Sequence, residues 1–291
     1  MKIGVDGGGT KTEFILTDRG GSVVARHIAT GCNPSVVGPT RAREILTTAL
    51  LAATENCQTE ISSTLLCMAG SPDFWREFAA KLTGFGKVDS VTDAVPVLEL
   101  ATTDKPGLVM HAGTGSFVAL HAPDDTIRYA GGLGWRIGDP GSAQDIGRRG
   151  VARGLAELQG WAEKSALSPA LAEVFGADTP SIITAALHQN PEPNQLIGSF
   201  AAKVSQFAAA GDTAAREVVL TSCTELLACA ELAALRVFPS AGLRTLPSGL
   251  SGPILIQPFV VEALRVRTQL KLTPVTEPAI EGVRRLLLKR A

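Results

Sequence analysis

The run Asp6-Gly7-Gly8-Gly9-Thr10-Lys11-Thr12 directly follows a short apolar segment that reads as a strand. Glycines carry no Cβ, so the backbone there can turn tightly and come close to a ligand. Successive N–H groups in such a turn, with the Thr10 and Thr12 hydroxyls, can receive phosphate oxygens. Asp6, at the end of the strand, is placed to hold a hydrated magnesium ion against them. The run is not a Walker A loop, which needs G-x-x-x-x-G-K-[ST], nor a G-x-G-x-x-G turn opening a helix. A plain hairpin is the other reading, although two residues such as Asn-Gly suffice for that.

A second loop, His111-Ala112-Gly113-Thr114-Gly115-Ser116, again follows a strand pattern and offers the same chemistry. Two such loops could hold one polyphosphate from two sides. A third segment runs from Gly131 to Gly147 and places six glycines in seventeen residues. Within it Asp139 stands in a glycine-rich turn, where an acid can accept hydrogen bonds from sugar hydroxyls. Ser142 is the natural N-cap of the helix that follows.

The elements around these loops follow from periodicity. Lys2 to Val5, Glu13 to Asp18 and Ser22 to Ala29 read as a strand meander, and Thr64 to Met68 and Val88 to Val91 as further strands. Helical periodicity marks Thr40 to Ala53, Asp73 to Leu82 and Ala94 to Ala101. A second sheet begins with Leu108 to His111 and the hairpin Phe117 to His121 with Ile127 to Ala130. Helices are then expected over Ser142 to Gln159, Leu167 to Phe175, Thr179 to His188, Asn194 to Ala210 and Thr213 to Val237. The tail reads as a strand over Arg244 to Leu250, a helix over Ile256 to Val266, a strand at Leu270 to Leu272 and a helix over Pro278 to Lys289. The same device, a strand followed by a glycine-rich turn, is thus used twice in a two-lobed α/β layout.

Composition narrows the function classes. A net charge of −1 gives no electrostatic footprint for nucleic acid or a membrane surface, and 5% aromatics argue against base stacking. The most apolar runs are broken by charge or glycine before the ~18 residues a membrane span needs. The N-terminus has no basic region leading into an apolar core, so a cytoplasmic location is expected. Cys32, Cys57, Cys67, Cys223 and Cys229 form no C-x-x-C pair and read as free thiols, not zinc ligands.

The D-G-G-G-T-K-T opening at 6–12, the G-T-G-S loop at 113–116 and the G-D-x-G-S-A-x-x-I-G segment at 138–147 resemble the BadF/BadG/BcrA/BcrD ATPase family. Within that family the chain is most similar to the N-acetylglucosamine and bacterial glucosamine kinases. Residues 1–150 carry the likeness, and Glu277-Pro278-Ala279-Ile280-Glu281-Gly282 is similar to the family's closing D-P-x-x-G-A helix. Residues 160–240 match only in being helical. The resemblance implies an α/β fold of two ribonuclease-H-like, actin-like ATPase domains with a cleft between them. Residues 1–106 would form the N-terminal lobe, with helix 277–290 a candidate to return to it. Residues 107–276 would form the C-terminal lobe with its helical block.

The resemblance further implies ATP and Mg²⁺ as cofactors and phosphorylation of an amino sugar, N-acetylglucosamine or glucosamine, with O6 the expected acceptor. Asp6 matches the magnesium-associated acid. Gly8, Gly9, Thr10, Lys11 and Thr12 match the first phosphate loop, and Gly113, Thr114, Gly115 and Ser116 the second. Asp93, in Val91-Thr92-Asp93-Ala94, falls on the strand-end acid that serves as catalytic base. Asn33, Asp139 and Ala143 match sugar-binding positions. Two positions depart from the pattern. Pro140 stands where the family often has Glu, which alters the sugar pocket if that Glu touches substrate. At the adenosine turn the chain reads Leu250-Ser251-Gly252-Pro253, so Gly252 keeps a close backbone approach while Pro253 removes a donor.

The residues themselves leave two assignments open. Asp93 reads either as a base or as the N-cap of the helix after it, and Asn33 either as a sugar ligand or as a turn residue before Pro34. A sugar is the expected partner, and a homodimer is open. Two rival functions remain: an ATPase that activates an iron–sulfur reductase, which needs cysteine ligands at a dimer interface, and a sugar-sensing pseudokinase, suggested by Pro140 and the altered adenosine turn.

Overall fold

The computed structural model of the chain describes residues 1–55 and 57–290. The chain divides into two compact units, Met1–Asp104 with Thr276–Ala291, and Lys105–Val275.

The first unit is built on β1 (Lys2–Gly7), β2 (Lys11–Thr17), β3 (Val23–Thr30), β4 (Ser63–Met68) and β5 (Lys87–Thr92). Their order is β3-β2-β1-β4-β5. β1 runs antiparallel to β2 and parallel to β4, which is parallel to β5. The Asp18-Arg19-Gly20-Gly21 turn closes the β2–β3 hairpin, with Asp18 Oδ1 accepting the Ser22 N–H at 2.9 Å. Successive side chains of a strand point to opposite faces, and both faces here are covered. Leu66 and Met68 of β4 join Ile3, Val5, Phe14, Leu46 and Trp75 in one core. Leu65 and Cys67 join Ile15, Ile280, Val283 and Leu287 in another. The first core lies under α2 (Pro39–Thr54) and α3 (Pro72–Ala79), the second under α11 (Ala279–Lys289). α4 (Ala94–Thr102) packs beside α11.

The second unit repeats the pattern. β6 (Gly107–Ala112), β7 (Ser116–His121), β8 (Ile127–Ala130), β9 (Pro247–Ser251) and β10 (Lys271–Pro274) lie in the order β10-β9-β6-β7-β8. β6 pairs antiparallel with β7 and parallel with β9. Each unit therefore carries the ribonuclease-H-like sheet that the resemblance implies. Between β8 and β9 stands a helical block: α5 (Ala143–Leu158), α6 (Leu167–Phe175), α7 (Pro180–Gln189), α8 (Pro193–Ala210) and α9 (Thr213–Val237). α10 (Pro258–Arg265) joins β9 to β10.

The structure corrects several sequence expectations. α3 stops at Ala79, short of Leu82, because Lys81 and Leu82 donate to Phe78 and Ala79 in tighter i→i−3 bonds. Leu243–Thr245 forms a 3₁₀ turn, and β9 starts only at Pro247, after an extended Leu246 of the kind a following proline favours. α10 starts at Pro258, not 256, with proline in the first turn where its missing N–H costs nothing. A short helix at Pro34–Val37 (α1) was not expected. Among the described residues one helix, α9, is long and apolar enough to cross a membrane, contrary to the reading that no stretch qualifies. Its buried side, including Val219, Cys223 and Leu226, belongs to the core of the second unit and packs toward β6 and β7.

Candidate active site

In the first unit the parallel strands β1, β4 and β5 end side by side, and open α/β sheets bind ligands at such carboxyl ends. Asp6 sits one residue before the end of β1, opposite Cys67 of β4. Asp93 follows the last residue of β5, and its N–H donates to the Met68 carbonyl at 3.3 Å. Both acids are half-buried. Burial first, and then the charges of Asp93 and Glu13, raise the Asp6 carboxyl from 3.8 to about 7, with Lys11 working the other way. Burial also raises Asp93 from 3.8 to about 6, against the N–H groups of Asp93 itself and Ala94.

Asp93 occupies the N-cap position of α4 but has helical backbone angles, φ −61° and ψ −17°, and makes no side-chain capping bond. A cap should accept from the N–H two or three residues on, so the contact that the capping reading requires is missing. The donor set around Asp6 suits magnesium. Burial, which raises both carboxyls, and the charges of Asp93 and Glu13, which add to the rise at Asp6, are what a divalent cation offsets. Among the described residues no three His, Cys, Asp or Glu side chains gather, so an ion here would keep most of its waters, as magnesium usually does.

Residues 8–11 form the tip of the β1–β2 hairpin, with the Gly8 N–H donating to the Lys11 carbonyl at 2.9 Å. Thr10 and Lys11 are exposed, and Lys11 pairs with Glu13 at 3.1 Å. Gly31 supports the tip from behind. Its N–H donates to Thr10, and a Cβ there would lie 2.1 Å from the Gly9 carbonyl oxygen. Asn33 closes the same region. Its Oδ1 accepts the Ser35 N–H at 2.9 Å and caps α1, which leaves the amide NH₂ to donate.

The second loop lies in the second unit, between β6 and β7. The Gly113 N–H donates to Gly115, and the Gly113 carbonyl accepts the N–H of Ala143, the first residue of α5, at 2.9 Å. Ser142 caps α5 as expected, accepting from the Asp145 N–H. Asp139 is only 7% exposed, and its Oδ1 accepts the Gly134 N–H at 3.1 Å. Burial pushes its carboxyl above the usual range, against the N–H groups of Gly134 and Ser116. Asp139 thus braces the loop in addition to any ligand it takes. Gly252 holds φ +91°, and a Cβ there would lie 2.1 Å from the Ala112 carbonyl oxygen. Only glycine fits where β9 ends against β6.

Two expected hydroxyl ligands are placed otherwise. Thr12 is fully buried, and its hydroxyl donates to the Thr30 carbonyl at 2.9 Å. Ser116 is 2% exposed, and its hydroxyl donates to the Pro140 carbonyl at 2.7 Å. Both corrections have one cause. Thr12 shares its strand face with Phe14 and Leu16, and Ser116 shares its face with Val118 and Leu120, and all four are core residues. The period-2 alternation was present in the sequence and could have found this. His111, which by residue type reads as a satisfied core histidine with no catalytic role, has its Nδ1 3.2 Å from Ser251 Oγ and its ring stacked on Phe117. Burial lowers it to about 4, so it stays neutral.

A family model described as the BadF/BadG/BcrA/BcrD ATPase family matches residues 3–238. The chain belongs to this family. Within the BadF/BadG/BcrA/BcrD ATPases it is 28% identical over 162 residues to an N-acetyl-D-glucosamine kinase of Dictyostelium discoideum; the match takes in 50% of this chain and about half, 51%, of that relative. It is 22% identical over 232 residues to an N-acetylmuramic acid/N-acetylglucosamine kinase of Clostridium acetobutylicum, covering 77% of this chain and 76% of the relative. A solved structure from Chromobacterium violaceum, provisionally assigned as an N-acetylglucosamine kinase, superposes with TM-score 0.76 at 25% identity, over 99% of this chain and 98% of that one. The cysteines do not favour the reductase-activating branch. Cys32, Cys67 and Cys223 are buried, and burial raises all three thiols, against the thiolate form a cluster needs.

Proposed function

We propose that the protein is an ATP-dependent kinase of an amino sugar, N-acetylglucosamine or glucosamine, transferring the γ-phosphoryl group to a sugar hydroxyl, with O6 the acceptor. The observation that carries this is the Asp6–Asp93 pair: two half-buried carboxyls at the ends of β1 and β5, the strands on either side of β4, with raised proton affinity. The names of the relatives supply the substrate class.

Asp93 is the catalytic base. Lifted to about 6, it is ionised near neutral pH yet basic enough to take the proton of an attacking hydroxyl. Asp6 is the residue that would hold magnesium, whose chemistry there is to neutralise charge on the transferring phosphates. Gly9, Thr10 and Lys11 offer donors to phosphate oxygens at the exposed hairpin tip, which the Gly8 N–H closes by its bond to the Lys11 carbonyl. Thr114 and Gly115 offer the same in the second unit, where the Gly113 N–H closes the loop on Gly115, whereas Thr12 and Ser116 fasten their loops from inside. In the first unit Asn33 donates its amide NH₂ to a sugar hydroxyl, and in the second Asp139 and Ala143 are the residues assigned to sugar binding. Gly252 borders the adenosine contact. Positioning and electrostatics carry most of the rate, as is general for phosphoryl transfer. An ADP-release assay across hexoses and hexosamines tests the reading. Turnover is expected only with hexosamines, and ADP release that no sugar stimulates would sink it. NMR of the phosphorylated product identifies the acceptor oxygen.

A further inference from the structure

Ser222 lies on the inner side of α9, fully buried and flanked by Val218, Val219, Cys223 and Leu226. A hydroxyl among these apolar neighbours needs partners, and it has two. It accepts the Gly141 N–H at 2.7 Å and donates to Asp145 Oδ2 at 2.6 Å. Asp145 is anchored in turn. Arg149 Nε donates to the same Oδ2 at 2.6 Å, Arg148 Nη2 donates to Oδ1 at 2.8 Å, and Arg149 continues to Glu225 on α9. Burial works upward on the Asp145 carboxyl, but the Ser222 hydroxyl and the two arginines hold it below the usual range. The acid end of the chain is therefore a charged, fixed acceptor.

The other end leads into the second loop. Gly141 follows Pro140, whose carbonyl holds the Ser116 hydroxyl, and Asp139, whose carboxylate takes the Gly134 and Ser116 N–H groups. Two residues beyond Gly141, Ala143 donates to Gly113. Segment 139–143 is thus stitched to both ends of the Gly113–Ser116 loop, and Ser222 fastens the middle of that segment to α9. We propose that Ser222 is a positioning residue that sets the Gly113–Ser116 loop and Asp139 through the Gly141 N–H. This rests on the kinase reading for its kinetic consequence. Charged anchoring at one end and backbone contact at the other make the hydroxyl a rigid link, and small displacements of phosphate-holding groups cost phosphoryl transfer heavily.

The test compares Ser222→Ala, Ser222→Cys and Ser222→Thr with the wild type. Ser222→Ala should lower kcat/KM for ATP roughly 10- to 100-fold. Backbone hydrogen exchange in peptides spanning 107–121 should quicken, while peptides from 223–237 keep wild-type rates. Ser222→Cys keeps the volume but hydrogen-bonds weakly, so it should resemble Ser222→Ala and serve in its place if that variant does not fold. Ser222→Thr keeps the hydroxyl and should restore most of the activity and protection. Unchanged kinetics and exchange in folded Ser222→Ala or Ser222→Cys overturn the proposal. So does a lower melting temperature with wild-type kinetics and wild-type exchange over 107–121, since that marks a purely structural bond. A wild type that phosphorylates no sugar defeats the kinase reading instead, and the exchange measurement still decides the role of Ser222.

Discussion

Replacing Asp6 by Asn is expected to stabilise the protein in neutral and alkaline solution while removing its activity. The wild-type carboxyl is raised from 3.8 to about 7 by burial, then by Asp93 and Glu13. The folded state therefore binds more protons than the unfolded chain between these values. Stability falls as pH rises through that window, and the loss is complete once Asp6 is ionised in both states. At about 1.4 kcal/mol per pH unit, the full span corresponds to ~4 kcal/mol. Solvent reaches this half-buried group, so a realistic figure is about 2 kcal/mol. For a chain of this size that becomes a rise in Tm of about 4–8 °C. Thermal melts followed by tryptophan fluorescence from pH 4 to pH 8.5 would measure it, because Trp75 is buried in the core of the same unit. Asp6→Asn should melt with the wild type near pH 4 and progressively above it as pH rises. A difference that does not vary with pH, or a less stable variant at pH 8, would refute the argument. Magnesium chloride should raise the wild-type Tm at pH 8 and leave Asp6→Asn unchanged.

Asp93→Asn should lose roughly 10²- to 10⁴-fold in turnover with sugar affinity nearly constant, read by ADP release. Wild-type kcat/KM should decline below about pH 6, where Asp93 takes up its proton, and a flat profile there would remove it as the base. Thr12→Val leaves the Thr30 carbonyl without its donor, so it should cost about 1–2 kcal/mol in urea unfolding with the ATP KM little altered. A large rise in that KM would return Thr12 to the phosphate contacts. Gly252→Ala sets a methyl group against the Ala112 carbonyl in a left-handed backbone, and a loss of about 2–4 kcal/mol in the same unfolding assay is expected.

Much of the architecture was legible because local chemistry and tertiary need agree. The apolar run Thr64 to Met68 reads as a strand, and it lies within one that is covered on both sides. The glycine-rich turns at 6–12 and 113–116 follow strands in the sequence and sit at strand ends in the fold. Side-chain direction was less well read. Residue type marks Thr12 and Ser116 as ligands, whereas strand alternation with Phe14 and Leu16, and with Val118 and Leu120, assigns them to the core. Asn33 shows that one side chain can be open to two readings, since its oxygen caps a helix and its NH₂ is left to donate. Ser222 could not be found at all. It contacts Gly141 across 81 positions, and nothing near it in the sequence separates it from other small residues of a core helix.

The discontinuity of the first unit has a bearing on how the chain is made. Ile280, Val283 and Leu287 complete a core whose other members, Ile15, Leu65 and Cys67, are synthesised far earlier. The second unit is one continuous stretch, Lys105–Val275. During translation it can close its core while the first 104 residues still wait for α11. Domains commonly fold in order of synthesis, but here the earlier half must finish last. Its sheet meanwhile exposes one apolar face, so a nascent chain halted before residue 279 is the form most exposed to aggregation and to chaperones.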